Sequence, residues 1–153
     1  MGSKGAAAVW TICEGTETDL AQIAGLETDI FTDPWSVQGL KESLKQPQTF
    51  FILAKKQDVV CGYAVVYHVL DECEIARIAV AASARREGAG TLIIQKVYEK
   101  CRMLGIQRVL LDVRKSNTAA IGFYKAEGFA EDGVRKAFYS NPLEDAVLMS
   151  RTL

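Results

Sequence analysis

Apolar residues dominate three consecutive segments in the first half of the chain, over residues 49–54, 59–70 and 73–80. Val, Ile and Tyr are frequent in these segments, and a polar turn over residues 55–58 separates the first two. Because β-branched and aromatic residues favour extended backbone, the pattern predicts three successive antiparallel strands. A shorter strand is predicted over residues 10–14.

Helical spacing of apolar residues follows a residue that can cap a helix at several places in the chain. The caps that we predict are Thr16 or Thr18, Ser36 and Asn117, and the glycines that end helices are Gly105 and Gly128. The inward residues that we predict are Leu20, Ile23 and Ala24 in the first helix, Val37, Leu40 and Leu44 in the second, and Ile93, Val97, Cys101 and Leu104 in the third. The third helix then covers residues 90–104, and a fourth covers residues 118–127.

Three further apolar segments, over residues 108–113, 129–136 and 145–151, are predicted as strands. The resulting order, β-α-α-β-β-β-α-β-α-β-β, mixes hairpins with helical crossovers. It predicts an α/β (α+β) fold with a mixed, mostly antiparallel central sheet flanked by helices. No repeat or linker interrupts the pattern, so we predict a disordered N-terminus over residues 1–8 and a single domain over residues 9–153.

Composition and charge restrict the possible partners. The 153 residues are 49% hydrophobic and 24% charged, which is typical of one globular domain. With 18 basic and 19 acidic side chains the formal net charge is −1, so we expect no nucleic-acid partner. No apolar run approaches the roughly 20 residues that cross a bilayer, and the N-terminal apolar stretch is too short for a secretory signal. We therefore expect a cytoplasmic protein without a membrane partner.

Four cysteines, Cys13, Cys61, Cys73 and Cys101, are scattered along the chain, and His68 is the only histidine. This spacing does not match a zinc site, so no metal is expected. In a cytoplasmic protein we expect the thiols to be reduced and to pack as small hydrophobic side chains.

The sharpest local motif is Arg-Arg-Glu-Gly-Ala-Gly over residues 85–90, between a predicted strand and the third helix. Gly88 and Gly90 allow a tight turn and a close approach of a ligand to the backbone. The free N–H groups and the dipole of a helix start attract phosphate groups. The motif therefore predicts a site for a pyrophosphate.

Three other interpretations of this motif compete with a pyrophosphate site. A nucleotide P-loop is excluded because it requires a Gly-Lys pair in a fixed frame, which is missing here. A dinucleotide-binding fingerprint fits better, since Asp112 lies at a suitable distance for a ribose hydroxyl, but Ile93 replaces its third glycine. A glycine-rich connection with a solvated arginine pair is the purely structural alternative.

The pattern Arg85-x-x-Gly88-x-Gly90 resembles the coenzyme A pyrophosphate signature of the GNAT superfamily of N-acetyltransferases. Within it, the chain is similar to the bacterial ribosomal-protein-alanine N-acetyltransferases through segments that span nearly its whole length. These segments are Asp33-Pro34-Trp35-Ser36, Val69-Leu70-Asp71-Glu72, Ile78-Ala79-Val80, Val113-Arg114-x-Ser116-Asn117, Ala120-Ile121-x-x-Tyr124, Gly128-Phe129 and Glu144-Asp145-Ala146. The resemblance implies direct acetyl transfer from acetyl-CoA to an amine, without a metal and without a covalent enzyme intermediate.

The resemblance also implies roles for individual residues. Tyr124 corresponds to the general acid that protonates the departing thiolate, and Asp112 stands where the family places a glutamate as general base. Because aspartate is one methylene shorter, it can require a water to reach the amine, and Glu72 or Glu74 are alternative bases. The residues implied in binding acetyl-CoA are Ile78, Ala79, Val80, Arg85, Arg86, Glu87, Gly88, Ala89, Gly90, Thr91, Asn117 and Tyr124.

The acceptor implied by the resemblance is a protein N-terminus, the N-terminal alanine of a small-subunit ribosomal protein. A lysine side chain, a polyamine or an antibiotic amine is the alternative within the same chemistry. A non-catalytic module that binds acetyl-CoA, and holds a basic partner through acidic stretches at residues 71–74 and 144–145, is the alternative from another class.

Overall fold

The computed structural model describes residues 9–153, and within them the predicted order of strands and helices is confirmed. The strands are β1 (Thr11–Glu14), β2 (Thr49–Lys56), β3 (Val59–Val69), β4 (Glu72–Val80), β5 (Arg108–Arg114), β6 (Ala130–Tyr139) and β7 (Glu144–Thr152). The helices are α1 (Leu20–Ile30), α2 (Val37–Leu44), α3 (Ala89–Met103) and α4 (Thr118–Ala126). Short 3-10 turns cover Glu17–Asp19 and Ala82–Ala84. The predicted disorder over residues 1–8 lies outside the described residues.

The seven strands form one sheet in the order β1-β2-β3-β4-β5-β7-β6, as expected for a mixed, mostly antiparallel sheet. All neighbouring strands are antiparallel except β4 and β5. This parallel pair is short, since only Glu72–Glu74 of β4 align with Arg108–Leu110 of β5. Beyond these residues β4 stays beside β3 and β5 stays beside β7. The two strands therefore diverge, and the sheet is open at its centre.

Strand β2 explains why both faces of the sheet are covered. Its side chains alternate between two buried apolar clusters. Phe50 and Ile52 pack in the cluster that contains the buried residues of α3, whereas Phe51 and Leu53 pack with those of α1 and α2. Fully burying side chains of this size contributes roughly 1.5–3 kcal/mol each. The sheet is thus held between two helical layers.

The predicted capping residues lie directly before helix starts in the structure. The Ser36 hydroxyl accepts a hydrogen bond from the Gly39 N–H at 3.0 Å, and the Asn117 side chain accepts one from the Ala120 N–H at 3.1 Å. Thr16 and Asp19 form a reciprocal capping box before α1. These side chains satisfy N–H groups that a helix start leaves without partners.

For two residues, Val37 and Leu104, the prediction that the side chain faces inward is wrong. Val37 is 47% exposed because it is the first residue of α2, and the buried residue of this helix, Leu40, lies almost one turn further along. Leu104 is 46% exposed because α3 ends at Met103 and the chain then turns through Gly105, whose φ is +76°. Helical spacing alone does not identify the residues at which a buried face begins and ends.

The four cysteines are free thiols. Cys73 and Cys101 are buried in the larger apolar cluster with their sulfur atoms 3.4 Å apart, as expected for small hydrophobic side chains, whereas Cys13 and Cys61 are partly exposed. Among the described helices, none has the length and apolar character needed to span a membrane.

Candidate active site

A cavity of about 600 Å³ lies where β4 and β5 diverge. Ile75, Ala76, Arg77 and Ile78 of β4 form one side, and residues 111–114 of β5 form another. Asn117, Ala120 and Tyr124 of α4 also line the cavity, together with Phe138 and Tyr139 at the end of β6. The loop after α1 completes the wall with Phe31, Thr32 and Asp33. Five parts of the chain, from the loop after α1 to the end of β6, thus meet at one site.

Tyr124 is the phenol that the sequence predicts in this site. It is 8% exposed and lies edge-on to Phe123 and Phe129, with ring centroids 5.4 Å and 5.7 Å away. Burial raises the pKa of Tyr124 above its ordinary value, and the nearby Tyr139 adds to the effect. The hydroxyl therefore keeps its proton at neutral pH.

The two diverging strands each place a carboxylate in the same cavity, Asp112 from β5 and Glu74 from β4. Burial raises the pKa of Glu74, the negative charge of Asp112 raises it further, and Arg135 acts in the opposite direction. Burial also raises the pKa of Tyr139 to about 12, with Asp112 again contributing. The family resemblance implies Asp112 as the base, with Glu72 or Glu74 as alternatives, and the fold brings the side chains of Asp112 and Glu74 into one pocket.

The motif over residues 85–90 forms the turn that leads into α3. Gly88 precedes the helix with a φ of +86°, a conformation that favours glycine, and no described heavy atom lies within 4 Å of the position where its Cβ would stand. The first helical hydrogen bond runs from the Leu92 N–H to the Gly88 carbonyl, at 3.1 Å. The N–H groups of residues 89–91 precede this pattern and are available to a ligand.

Gly90 has a packing role that the sequence does not predict. A Cβ at Gly90 would stand 3.2 Å from Cζ of Phe123, because the ring of Phe123 packs directly on the first turn of α3. The missing side chain thus brings α4, and with it Tyr124, close to the start of α3. Gly90→Val would disturb this contact as well as the loop, so Gly88 is the clearer position at which to test ligand binding.

Other residues that the sequence assigns to acetyl-CoA binding make contacts within the protein. Arg85 Nε donates to the Val80 carbonyl at 3.0 Å, and the Thr91 hydroxyl donates to Glu127 at 2.9 Å. Ala79 is buried in the cluster beneath α1 and α2, and Ala89 is buried in the cluster beneath α3. Arg86 has a φ of +65°, which marks the tight turn before Gly88.

A buried ion pair anchors the loop between α1 and α2, and the sequence does not predict it. Glu27 is 0% exposed, and Arg77 Nη2 and Nε donate to its carboxylate at 2.9 Å and 3.1–3.2 Å. The Tyr63 hydroxyl and the Trp35 N–H also donate to Glu27. The guanidinium carbon lies 3.8 Å from the ring centroid of Phe31 and 4.6 Å from that of Trp35.

The sequence does contain a signal for this pair. Glu27 follows Ile23 at helical spacing on the inward face of α1, and Arg77 lies in an apolar strand. A charged residue at a buried position requires a partner of opposite charge, so the pattern indicates that each of these side chains is paired, but it does not identify the partner.

The comparisons with known proteins agree with this geometry. The profile of the Acetyltransferase (GNAT) family matches residues 20–129. The ribosomal protein bS18-alanine N-acetyltransferase of Escherichia coli strain K12 is 29% identical, over 92% of this chain and 95% of that protein. The protein of the same name from Haemophilus influenzae is 30% identical, over 86% and 91%. The crystal structure of the ribosomal-protein-S18-alanine N-acetyltransferase from Escherichia coli matches with a TM-score of 0.86 and 27% identity, over 94% and 93%.

The chain therefore belongs to the GNAT family of acetyltransferases. It is an enzyme that acetylates amines, and acetyl-CoA is the co-substrate of this family.

Proposed function

We propose that this enzyme transfers the acetyl group of acetyl-CoA to the N-terminal amine of a protein, the N-terminal alanine of ribosomal protein bS18, as in the names of its relatives. The observation that carries the proposal is the cavity between β4 and β5, which gathers a buried phenol and two carboxylates at one site. The amine and the thioester react directly in this cavity. Action on a ribosomal protein also supports a cytoplasmic location.

The described residues fit acetyl-CoA. A pyrophosphate requires N–H donors, a favourable helix dipole and a backbone free of side chains, and Gly88 with the first turn of α3 supplies all three. We assign residues 85–91 to the pyrophosphate, Ile78, Ala79 and Val80 to the pantetheine arm through their backbone, and Asn117 and Tyr124 to the thioester end. The bound co-substrate supplies the acetyl group and the thiolate leaving group.

Tyr124 is assigned as the general acid. A thiolate that leaves the acetyl group takes a proton, and a phenol whose raised pKa keeps it protonated can provide one. Its place on α4, beside Phe123 and the start of α3, supports this role because the reacting end of the co-substrate has to lie near the helix start.

The carboxylate pair Asp112 and Glu74 is assigned as the general base. An amine reacts only after it has lost its proton, and a carboxylate whose pKa is raised by burial and by a neighbouring charge, as that of Glu74 is, accepts a proton more readily. Asp112 is short, so a water can relay the proton to it, while Glu74 reaches the same cavity from the other strand.

The acceptor would enter between two walls of the cavity. The loop after α1 supplies Phe31 and Asp33, and the end of β6 supplies Phe138 and Tyr139. Aromatic side chains on both walls suit a peptide, which offers backbone and side chains to contact beyond the amine.

Mass spectrometry of ribosomal proteins tests the acceptor. Incubation with the enzyme and acetyl-CoA should add one acetyl group to the N-terminus of bS18, located by fragmentation. Acetylation that is confined to lysine side chains or to free polyamines would replace this proposal with a different acceptor. Binding of acetyl-CoA without transfer to any amine would favour the non-catalytic alternative.

Calorimetry with acetyl-CoA tests the pyrophosphate site. Gly88→Val should abolish binding because its side chain stands where the ligand approaches the backbone. Gly105→Val is the matched control, since Gly105 also has a positive φ and open surroundings but lies at the other end of α3. Both variants place a side chain on a residue with a positive φ, so equal affinities in the two would contradict the assignment of residues 85–91.

A further inference from the structure

The loop over residues 85–90 contains a carboxylate, Glu87, directly before the glycine that precedes α3. A carboxylate beside a pyrophosphate opposes binding because both groups are negatively charged. The effect of this loop on a phosphate ligand therefore depends on what neutralises Glu87.

Two residues from outside the motif hold Glu87. Lys56, the last residue of β2, places Nζ 2.7 Å from Oε1 of Glu87. Trp10, which precedes β1, donates its indole N–H to the backbone carbonyl of Glu87 at 3.0 Å. Lys56 Nζ also lies 4.9 Å from the ring centroid of Trp10. The three residues thus contact one another, and we refer to Trp10 and Lys56 as the Glu87 clamp.

Each member of the clamp removes one unfavourable feature from a phosphate site. Lys56 neutralises the carboxylate, and the ring of Trp10 favours the position of the ammonium group through a cation–π contact. The indole N–H pairs with a carbonyl oxygen that would otherwise be free to face a phosphate. Lys56 and Glu87 have side chains that are 37% and 41% exposed, so salt will weaken their interaction.

We propose that the Glu87 clamp sets the affinity of the pyrophosphate site, with Lys56 acting as the neutralising residue and Trp10 as the positioning residue. The inference rests on the proposed function, because it takes residues 85–91 as the site of the acetyl-CoA pyrophosphate. It assigns a role in co-substrate binding to two residues that lie outside the motif, with Lys56 29 positions and Trp10 75 positions before its first residue, Arg85.

A double-mutant cycle with calorimetry at low salt tests the charge. Lys56→Met leaves Glu87 unpaired and should weaken acetyl-CoA binding about three- to tenfold. Glu87→Gln removes the repulsion and should tighten binding about twofold or more. The double variant Lys56→Met/Glu87→Gln should return to within about twofold of the wild type. Lys96→Met, which breaks the exposed Lys96–Glu99 pair on α3, is the control and should leave affinity unchanged.

Salt dependence separates the two members of the clamp. The loss in Lys56→Met should shrink as ionic strength rises, because the repulsion from Glu87 is screened. Trp10→Phe keeps an aromatic ring but removes the N–H donor, so its loss of affinity should persist at high salt. Both variants remove contacts at a partly exposed site, and equal thermal melting temperatures would show that they remain folded.

Specific results overturn the inference. Unchanged affinity in Lys56→Met and Trp10→Phe would show that the clamp does not act on the site. A double variant as weak as Lys56→Met would show that Lys56 contacts the ligand directly instead of neutralising Glu87. If the wild-type enzyme itself failed to bind acetyl-CoA, the proposed function would fall and the inference with it. These outcomes are distinguishable within one set of titrations.

Discussion

At the scale of single residues, the site depends on side chains whose protonation is shifted by burial. Tyr124 and Glu74 both hold their protons more tightly than they would in water, one as a phenol and one as a carboxylic acid. For an acid catalyst this keeps the proton available, and for a base it brings the pKa closer to that of an amine. The two shifts therefore suit the opposite roles that we propose for Tyr124 and Glu74.

Tyr124→Phe tests the general acid. The variant keeps the ring that packs on Phe123 and Phe129 but removes the proton donor. We expect turnover to fall roughly 10²- to 10⁴-fold, with little change in the affinity for acetyl-CoA. Single-turnover kinetics and calorimetry measure the two quantities separately. Turnover close to that of the wild type, with the chemical step limiting, would exclude Tyr124 as the acid.

The pH–rate profile tests the carboxylate pair. The pKa of Glu74 is raised, so the carboxylate forms only as pH rises through that pKa, and activity should rise over the same range. Asp112→Asn removes the neighbouring negative charge, which lowers the pKa of Glu74, and the acid limb should move to lower pH while turnover falls. Glu74→Gln should remove this limb.

Two controls accompany the pH measurement. Asp112→Glu should retain much of the activity, because the longer side chain keeps the charge and resembles the glutamate of the family. Thermal melting of each variant is needed, since an extra methylene in a tight environment can cost about 1–3 kcal/mol. If Glu74→Gln kept the wild-type acid limb, Asp112 alone or another group would be the base.

At the scale of elements, the sequence predicts most of the strands and helices, but it predicts their ends and the loops between them less well. Strong apolar patterns predict that β2 and β3 are strands and that α3 is a helix. The capping residues Ser36 and Asn117 predict where two further helices start. The sequence predicts a strand that ends at residue 136, whereas β6 ends at Tyr139. The prediction is too short because residues 130–138 are exposed and lack the apolar alternation that marks a strand. For the same reason, the sequence does not predict that Phe138 and Tyr139 line the cavity.

The loop between α1 and α2 could not be positioned from the sequence, because long-range contacts hold it. Residues 31–36 have no helix or strand, and Arg77 contacts them through the ring of Phe31, the Asp33 carbonyl at 2.8 Å and the ring of Trp35. Local propensity contains no information about a partner that lies more than 40 residues away. The position of this wall of the cavity therefore depends on the Glu27–Arg77 pair.

Arg77→Met tests the energetic role of this pair. The variant leaves the carboxylate of Glu27 buried without its cation, and the free energy of unfolding should fall by about 3–5 kcal/mol. Lys96→Met is the matched control, because it removes the cation of an exposed pair and should cost about 0–1 kcal/mol. Denaturant titration measures both values. A loss in Arg77→Met no larger than in Lys96→Met would show that the buried pair contributes little.

At the scale of the whole molecule, the open centre of the sheet is compatible with stability because the two apolar clusters share strands. β2 and β3 contribute buried side chains to both clusters. Unfolding of these two strands therefore removes packing from both clusters at once. We therefore expect a single cooperative unfolding transition, although β4 and β5 pair over only three residues.

Acetyl-CoA should raise the temperature of that transition, because the site that we propose for it exists only in the folded chain, where elements on either side of the opening come together. At a concentration of 100 times Kd the expected stabilisation is about 2.7 kcal/mol, which corresponds to a rise in Tm of roughly 5–10 °C for a chain of this size. Gly105→Val should show the same rise from its own lower Tm, whereas Gly88→Val should show none, because both residues have a positive φ but only Gly88 lies at the proposed ligand site. Calorimetric melts with and without acetyl-CoA measure these shifts. Two separate transitions, of which the ligand moved only one, would instead show that the halves of the sheet unfold independently, and that the shared strands do not couple the two clusters.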